Sequence, residues 1–389
     1  MSEAKNEICS PQEGTSSNKG AAEGRTLIKN IDSGHPGQKI EMEYVPCNLC
    51  GQENWDEVLA ARDLLYGKEG NFTLVRCKNC GLTFPNPRPK KEHLAYFYPS
   101  EYRPHQPPKP QKRRNFLEAR WRIVQGHLRS LVLREFYGYP GLEPEKRNFA
   151  FRVLLKILLF PYYLWHKKHI GTVRYRGEGK VLDIGCGAGR HLARLKRHGW
   201  DVYGIDISER AAHMARDQFG LKVVQGDILE HQFPEEAFDI VTMWFSLEHM
   251  PQPLQVLLEV QRILKPGGLL IASVPNIDGW LAKKMHERWY SLQLPTHLYL
   301  FTPRTTKKML EVAGFRVVKI RHIKSSLRRT LARLDKDKHR ILVRLAKAKH
   351  LVGLVNFFQG VFRISDNIEV HAEKDNTFSE RLTKEMAGN

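Results

Sequence analysis

"VLDIGCGAGRHLARL", Val181 to Leu195, sets a glycine-rich turn between a short apolar run and a helix-like pattern. That order of strand, glycines and helix N-terminus is how parallel sheets hold a cofactor beyond a strand end. The dinucleotide fingerprint G-x-G-x-x-G would start at Gly185 and Gly187 and needs a third glycine at position 190, which is Arg190. The glycines instead fall at Gly185, Gly187 and Gly189.

Around this turn, from about residue 170, strand-like and helix-like stretches alternate. "KVLDIG" suits a buried parallel strand, and a helix opens over His191 to His198 with Leu192 and Leu195. "DVYGID" reads as strand, Ser208 as the N-cap of a helix to Phe219, and "LKVVQGD" and "FDIVTMWF" as strands. A helix carrying Leu254, Leu257, Leu258 and Leu264, stopped by "KPGG", precedes the strand "LLIASV". A helix opened by Thr302 and Pro303 leads to the strand "FRVVKI". Repeated βα units of this kind predict a doubly wound α/β sheet.

In such a sheet the ligand sits beyond the carboxyl ends of the strands. Asp183, Asp206 and Asp227 each stand at or near such an end. Asp206, seventeen residues after Gly189, is near the place where an acidic residue meets a ribose diol. Asp227 is placed for a ring edge that offers an amino donor. Three carboxylates around one loop would repel a diphosphate and suit a nucleoside that carries positive charge.

Together "VLDIGCGAGRHLARL", "YGIDIS", "QGDIL", "FDIVTMWFSLEHM" and "RILKPGGLLIASVPN" resemble the class I S-adenosylmethionine-dependent methyltransferases over roughly residues 175 to 320. The resemblance implies a Rossmann-like, mostly parallel seven-stranded sheet, with "DNIEVHAEK" as an antiparallel last strand beside the sixth. It implies S-adenosyl-L-methionine as cofactor: Asp183 and the turn of Gly185, Cys186, Gly187 and Gly189 at the methionine end, Asp206 at the ribose, and Asp227 with Ile228 at the adenine, with Ile207 also among the cofactor-binding residues. "RCKNCGLTFPNPRP" with "LAYFYPSEY" resembles the four-cysteine segment ahead of the catalytic domain in a bacterial subgroup, often associated with sugar or lipid-linked glycan modification.

Four of the six cysteines fall as Cys47-x2-Cys50 and Cys77-x2-Cys80, each pair followed by glycine. Two residues between thiols let a tight turn aim both sulfurs at one ion, so the set predicts a zinc-ribbon module whose four thiolates leave no open coordination position. The ion is therefore expected to be structural.

Methyl transfer needs alignment of nucleophile, methyl carbon and sulfur, and a base only where a hydroxyl must lose its proton. "SLEHMP" and "PTHLYLFT" supply candidates: His249 as base, Glu248 to orient it, and His297 as the second choice. The competing reading of each is a structural hydrogen bond or loop cap. Because "WFSLEHM" lacks an Asn-Pro-Pro-aromatic tetrapeptide and no cysteine stands where a pyrimidine C5 nucleophile would, those two kinds of base methylation are disfavoured.

The chain has 389 residues and a net charge of +20, unevenly placed. Lys319 to Lys349 holds twelve Lys or Arg against Asp335 and Asp337, and Arg103 to Glu135 holds nine against Glu118 and Glu135. Solvated helix faces, anionic lipid and nucleic acid each fit such blocks. "FRVLLKILLFPYYLWHKKH" from Phe151 is strongly apolar, yet Lys156 and Pro161 break it short of the roughly 20 residues that span a bilayer. "LVGLVNFFQGVF" is another uncharged run, and Ile323, Leu327, Leu331 and Leu334 recur at helical spacing beneath a basic face. Short apolar helices with basic flanks suit a membrane interface.

The expected organisation is a disordered tail (1–42), a zinc module (43–89), a basic Pro-rich linker with amphipathic helices (90–169), a methyltransferase core (170–325), a basic and apolar helical insertion (326–366) and the last strand with a C-terminal tail (367–389). No apolar signal core follows the charged start, so a cytoplasmic chain is expected, peripheral on the inner membrane face. The leading expectation is methylation of a hydroxyl (or amine) on a glycan, lipid-linked or other small acceptor. Alternatives are a ribosomal or transfer RNA methyltransferase with a zinc module, and an inactive scaffold on the same fold.

Overall fold

The structure, a computed structural model, describes residues 26–29, 40–98, 106, 116–140, 148–166, 173–323, 325–332 and 349–378. Cys9, the Pro-rich stretch (apart from residue 106) and Leu334 lie outside them. The N-terminal part carries β1 (Thr26–Lys29), β2 (Ile40–Glu43), β3 (Trp55–Arg62), β4 (Asn71–Cys77), β5 (Thr83–Pro85) and β6 (Arg88–Pro89). They pair as two antiparallel sheets, β1-β2-β6 and β3-β4-β5. Strands β1 and β2 correct the expectation of an unstructured tail up to residue 42. The physical reason is a period of two: Ile40 and Met42 are both buried, against Phe72, Leu74 and Phe97.

Helices α1 (Phe116–Tyr137) and α2 (Phe149–His166) follow, with Phe136 and Tyr163 stacked at 4.3 Å between ring centroids. The α/β part then runs β7 (Lys180–Ile184), α3 (Arg190–Lys196), β8 (Asp201–Asp206), α4 (Glu209–Phe219), β9 (Lys222–Gln225), β10 (Phe238–Trp244), α5 (Pro253–Ile263), β11 (Leu264–Pro275), α6 (Trp280–Met285), α7 (Pro303–Val312), β12 (Phe315–His322), α8 (Leu327–Leu331), α9 (Lys349–Val361) and β13 (Asn367–Lys374). Its seven strands lie in the order β12-β13-β11-β10-β7-β8-β9, with β13 antiparallel to both neighbours. Strand order reverses between β7 and β10, the switch point at which doubly wound sheets take a ligand.

Local chemistry sets the helix ends. Ser208 accepts a hydrogen bond from the Ala211 amide and Gly220 ends α4 in the left-handed region. Thr302 and Thr305 form a reciprocal capping box on α7. The helix expected to reach Leu264 ends at Ile263, and Leu264 to Gly268 already belong to β11. Pro266 has no amide hydrogen to continue a helix, and Leu264 is fully buried as a strand residue.

The cysteine module and the sheet share one core. Leu49, Leu82 and Phe84 pack in the same cluster as Met243, Leu247, Leu298, Tyr299 and Phe301. The Leu300 amide donates to the Thr83 carbonyl at 2.8 Å, so β5 extends onto the segment that carries His297.

The segment after β12 differs from its reading. Ile323 is buried but outside any helix, and α8 covers only Leu327 to Leu331. Leu327 and Thr330 are buried, and the Tyr290 amide donates to Thr330 Oγ1 at 3.1 Å. Asp366 joins both sides, accepting from Trp289 Nε1 at 2.8 Å and from the Ser326 amide. The described ends of the insertion are therefore packed onto the turn that precedes His297. Among the described residues no helix is long and apolar enough to cross a membrane.

Candidate functional site

Two matching turns bring the four cysteines together. Cys50 and Gly51 amides donate to the Cys47 carbonyl, and the Gly81 amide donates to that of Cys77. Gly51 and Gly81 have φ of 69° and 80°, which permits the tight return of the backbone. The sulfurs of Cys47 and Cys80 lie 3.4 Å apart and those of Cys50 and Cys77 3.5 Å. All four thiols are free and mutually within 4.8 Å. A tetrahedral ion with sulfur ligands at about 2.3 Å asks for such a cluster.

The glycine turn follows β7. Gly185, Gly187 and Gly189 have φ of 73°, 52° and 71°. A Cβ at Gly185 would stand 2.6 Å from that of Ser246, so both the backbone angle and the close approach of the loop after β10 require glycine there. The Cys186 side chain turns away into the core beside Leu192 and Val223. Asp206 at the end of β8 clasps the turn, accepting from the Gly187 amide at 2.7 Å and the Ser208 amide at 2.9 Å. Asp183 is buried and accepts from Thr242 Oγ1 at 2.6 Å. Burial, helped by the nearby Asp206 charge, raises its carboxyl to about 7. Asp183 and Asp206 are thus brought together, two buried carboxylates next to an open backbone turn, which suits a cationic ligand.

Asp227 stands differently. Its carboxylate holds Lys91 Nζ at 2.7 Å and the Leu229 amide at 3.1 Å, and Lys91 also reaches Glu230. Lys91 arrives from the short 3-10 turn Lys91–Phe97, part of the stretch read as a linker. Ile228 is buried in the main core, whereas Ile207 is 66% exposed beside the turn. Of the two isoleucines, Ile207 is the one with a face to offer a ring.

Beyond β10, Phe245 takes a left-handed φ of 56° and Ser246 donates to the Ile184 carbonyl at 2.8 Å. This anchors the next residues, Leu247–His249, beside the glycine turn. The Glu248 carbonyl accepts from the Leu298 and Tyr299 amides, which draws "PTHLYLF" alongside. The rings of His249 and His297 consequently meet edge to face at 4.7 Å. His249 Nδ1 lies 2.8 Å from the Thr296 carbonyl and 3.0 Å from the Tyr98 hydroxyl. His297 Nδ1 lies 2.8 Å from the Ser291 carbonyl. Carbonyls only accept, so each ring carries its proton on Nδ1 and its lone pair on Nε2.

Glu248 does not orient His249 by a hydrogen bond, contrary to the sequence reading. Its carboxylate is fully buried and neither oxygen has a hydrogen-bond partner among the described residues. Thr296 and Tyr98 hold the ring instead. Burial pushes the Glu248 carboxyl up to about 8, and burial with the adjacent His249 holds His297 well below the usual histidine range. Tyr98 is raised above the ordinary phenol range by burial first, then by Glu248, Tyr66 and Asp206.

Residues 149–320 match the family described as "Methyltransferase domain". They carry the strand order, the reversal at β7 and the glycine turn set out above. The segment is a methyltransferase domain. The demethylmenaquinone methyltransferase of Listeria welshimeri is 33% identical over 143 residues, 34% of this chain and 60% of that protein. The Staphylococcus aureus protein of the same name is 28% identical over 186 residues, 41% of this chain and 76% of that one. The chain thus spans less than two thirds of the Listeria relative it matches. A solved Archaeoglobus fulgidus SAM-dependent methyltransferase is 25% identical, with a TM-score of 0.37 over 58% of this chain and 100% of that one.

Tyr98, Lys91 and Thr296 around this methyltransferase domain were not singled out from the sequence. Tyr98 sits in "LAYFYPSEY", whose aromatic density was a signal. Nothing local marked Lys91 or Thr296, because a lysine or threonine in a loop is most often a solvated residue.

Proposed function

We propose that the chain transfers a methyl group from S-adenosylmethionine to a hydroxyl (or amine) of a glycan, lipid-linked or other small acceptor. One observation carries this reading: the glycine turn with its two buried carboxylates abuts, through Ser246, the loop that bears His249. When bound, the cofactor supplies an activated methyl group on a cationic sulfur. The chain's own residues do the rest. The bare backbone of Gly185, Gly187 and Gly189 admits the methionine end beside Asp183, Asp206 accepts from the ribose hydroxyls, and Ile207 and Asp227 flank the adenine, while Ile228, buried in the core, holds the Asp227 turn from behind. A negative pair of side chains with little water around it favours the charged ligand.

His249 is the base in this reading. Its single Nδ1–H is directed at the Thr296 carbonyl, with the Tyr98 hydroxyl oxygen as a second acceptor of the same hydrogen, which leaves Nε2 to take the acceptor's proton. His297, neutral by virtue of its depressed pKa, is the second candidate. Reacting atoms held about 3 Å apart supply most of the acceleration. The four thiols hold a structural zinc ion, a bond worth on the order of 10–16 kcal/mol in small zinc peptides.

For the acceptor, the relatives named for demethylmenaquinone favour a small molecule. Exposed apolar side chains on α2 (Leu154, Ile157, Leu158) and α9 (Leu354, Phe357, Phe358) favour one presented at an anionic membrane face. Incubation with labelled S-adenosylmethionine and separate lipid-linked glycan, soluble sugar and RNA fractions tests the proposal. Label passing to RNA alone, or cofactor that does not bind at all, would reject it.

A further inference from the structure

Glu248 poses a problem that the proton-transfer reading leaves open. A carboxylate with no exposure and no hydrogen bond to either oxygen among the described residues is costly, and such groups are rare in folded proteins. Its nearest chemistry is two imidazoles. One ligand atom from each of Glu248, His249 and His297 lies within 4.8 Å of the others. Both rings are pinned through Nδ1 to backbone carbonyls, Thr296 and Ser291, at 2.8 Å each. This is the outer shell that metal-ligating histidines ordinarily have: the carbonyl fixes the tautomer and presents Nε2.

We propose that Glu248, His249 and His297 bind a divalent transition-metal ion. Two neutral imidazoles and one carboxylate form a donor set that such ions accept on one face, with the remaining positions open. An oxygen of the acceptor would fill an open position, where the ion's charge makes its proton easier to lose to water; with the ion bound, Nε2 of His249 is a ligand, and the ion replaces His249 in activating the acceptor. The ion also gives the two buried Glu248 oxygens a partner. Glu248 and His249 follow the carboxyl end of β10, as Asp206 ends β8 and the glycine turn follows β7, and Ser246 ties the two loops together, so the ion and the cofactor share one edge of the sheet. This site is separate from the four cysteines, whose soft sulfur donors are complete in themselves. The inference deepens the methyl-transfer reading and rests on it for the acceptor, but not for the ion.

Cobalt(II) titrated into the full-length, zinc-loaded protein tests the site by visible absorption. The expected result is one additional cobalt per chain with the weak bands of nitrogen and oxygen ligation and no thiolate charge transfer. His297→Ala should abolish that equivalent. Glu248→Gln, nearly identical in shape, should weaken it at least tenfold. Cobalt uptake that only displaces zinc at sulfur, no uptake beyond the zinc, or uptake unchanged in folded Glu248→Gln would each overturn the proposal. Circular dichroism and S-adenosylmethionine affinity are read on the same samples. If His297→Ala fails to fold, Glu248→Gln decides. Cofactor binding without the second ion sinks the metal site alone, and the second ion without cofactor binding sinks the methyl-transfer reading alone.

Discussion

The Tyr98 hydroxyl lies 3.0 Å from Nδ1 of His249, across 151 positions of sequence. The segment after the cysteine module is thereby part of the wall around the loop that carries His249. The same module reaches the domain through Arg88, which donates to Tyr299 and to the Pro251 carbonyl. It does so again through Asn48, which accepts from the Leu254 amide.

Tyr98→Phe keeps the ring and removes the hydroxyl beside His249. A loss of about tenfold in kcat is expected, the worth of one hydrogen bond of roughly 1–1.5 kcal/mol. S-adenosylmethionine affinity should stay within about twofold. Steady-state kinetics with calorimetry checks this, and an unchanged kcat would remove Tyr98 from the site.

Asp206→Ala should weaken S-adenosylmethionine binding by roughly 2–4 kcal/mol, since charge-assisted hydrogen bonds are worth about 1.5–3 each and add incompletely. It also unties the glycine turn, because the Gly187 and Ser208 amides lose their acceptor. Melting curves alongside calorimetry separate the two effects, and equal affinity for wild type and variant contradicts the assignment.

Asp183 makes a pH dependence. Its folded pKa of about 7 lies above the ordinary 3.8, so the folded chain holds more protons than the unfolded one between those values. Stability of the cofactor-free protein should therefore fall as pH rises from about 4 to 7, at up to about 1.4 kcal/mol per pH unit. Cofactor affinity should run the opposite way, rising toward pH 7 as the carboxyl ionises. Denaturant titrations and calorimetry across that range test both slopes, and Asp183→Asn should remove its own share of the stability slope, leaving that of Glu248, which has the same sign, and that of His297, which has the opposite one.

One tightly held zinc per chain is expected at the cysteines, lost in Cys77→Ser. Because Cys77 and Cys80 share a core with Leu298 and Phe301, removing this ion should lower the melting temperature and disturb the His297 loop together. Elemental analysis of protein purified without chelator gives the answer, and absence of zinc there sinks the reading.

Membrane docking is tested on exposed side chains, since replacing the whole insertion would also cut the buried Asp366 contacts. Ile157→Glu with Leu158→Glu on α2, positions 64% and 68% exposed, should cost little stability and should reduce binding to anionic vesicles. Binding of the wild type should weaken with salt as screening shortens from about 10 Å at 0.1 M to about 3 Å at 1 M. Vesicle retention equal for wild type and variant would rule out α2 as the docking face.

The sequence by itself determined what depends on neighbours a few residues apart. Apolar period, the Ser208 and Thr302 caps, three glycines at alternate positions and two C-x2-C pairs each encode a local geometry, and they were enough for the sheet, the turn and the thiol cluster. Tertiary structure alone decided the rest. Lys91 meets Asp227 across 136 positions, Tyr98 meets His249, and Glu248 is buried without a hydrogen bond, all because the cysteine module and the sheet condense on one core. Strand β2 formed for a similar cause, as Ile40 and Met42 gain burial only once Phe72, Leu74 and Phe97 are in place. Such contacts follow from which apolar faces pack together, and that partnership is not written in any short stretch of chain.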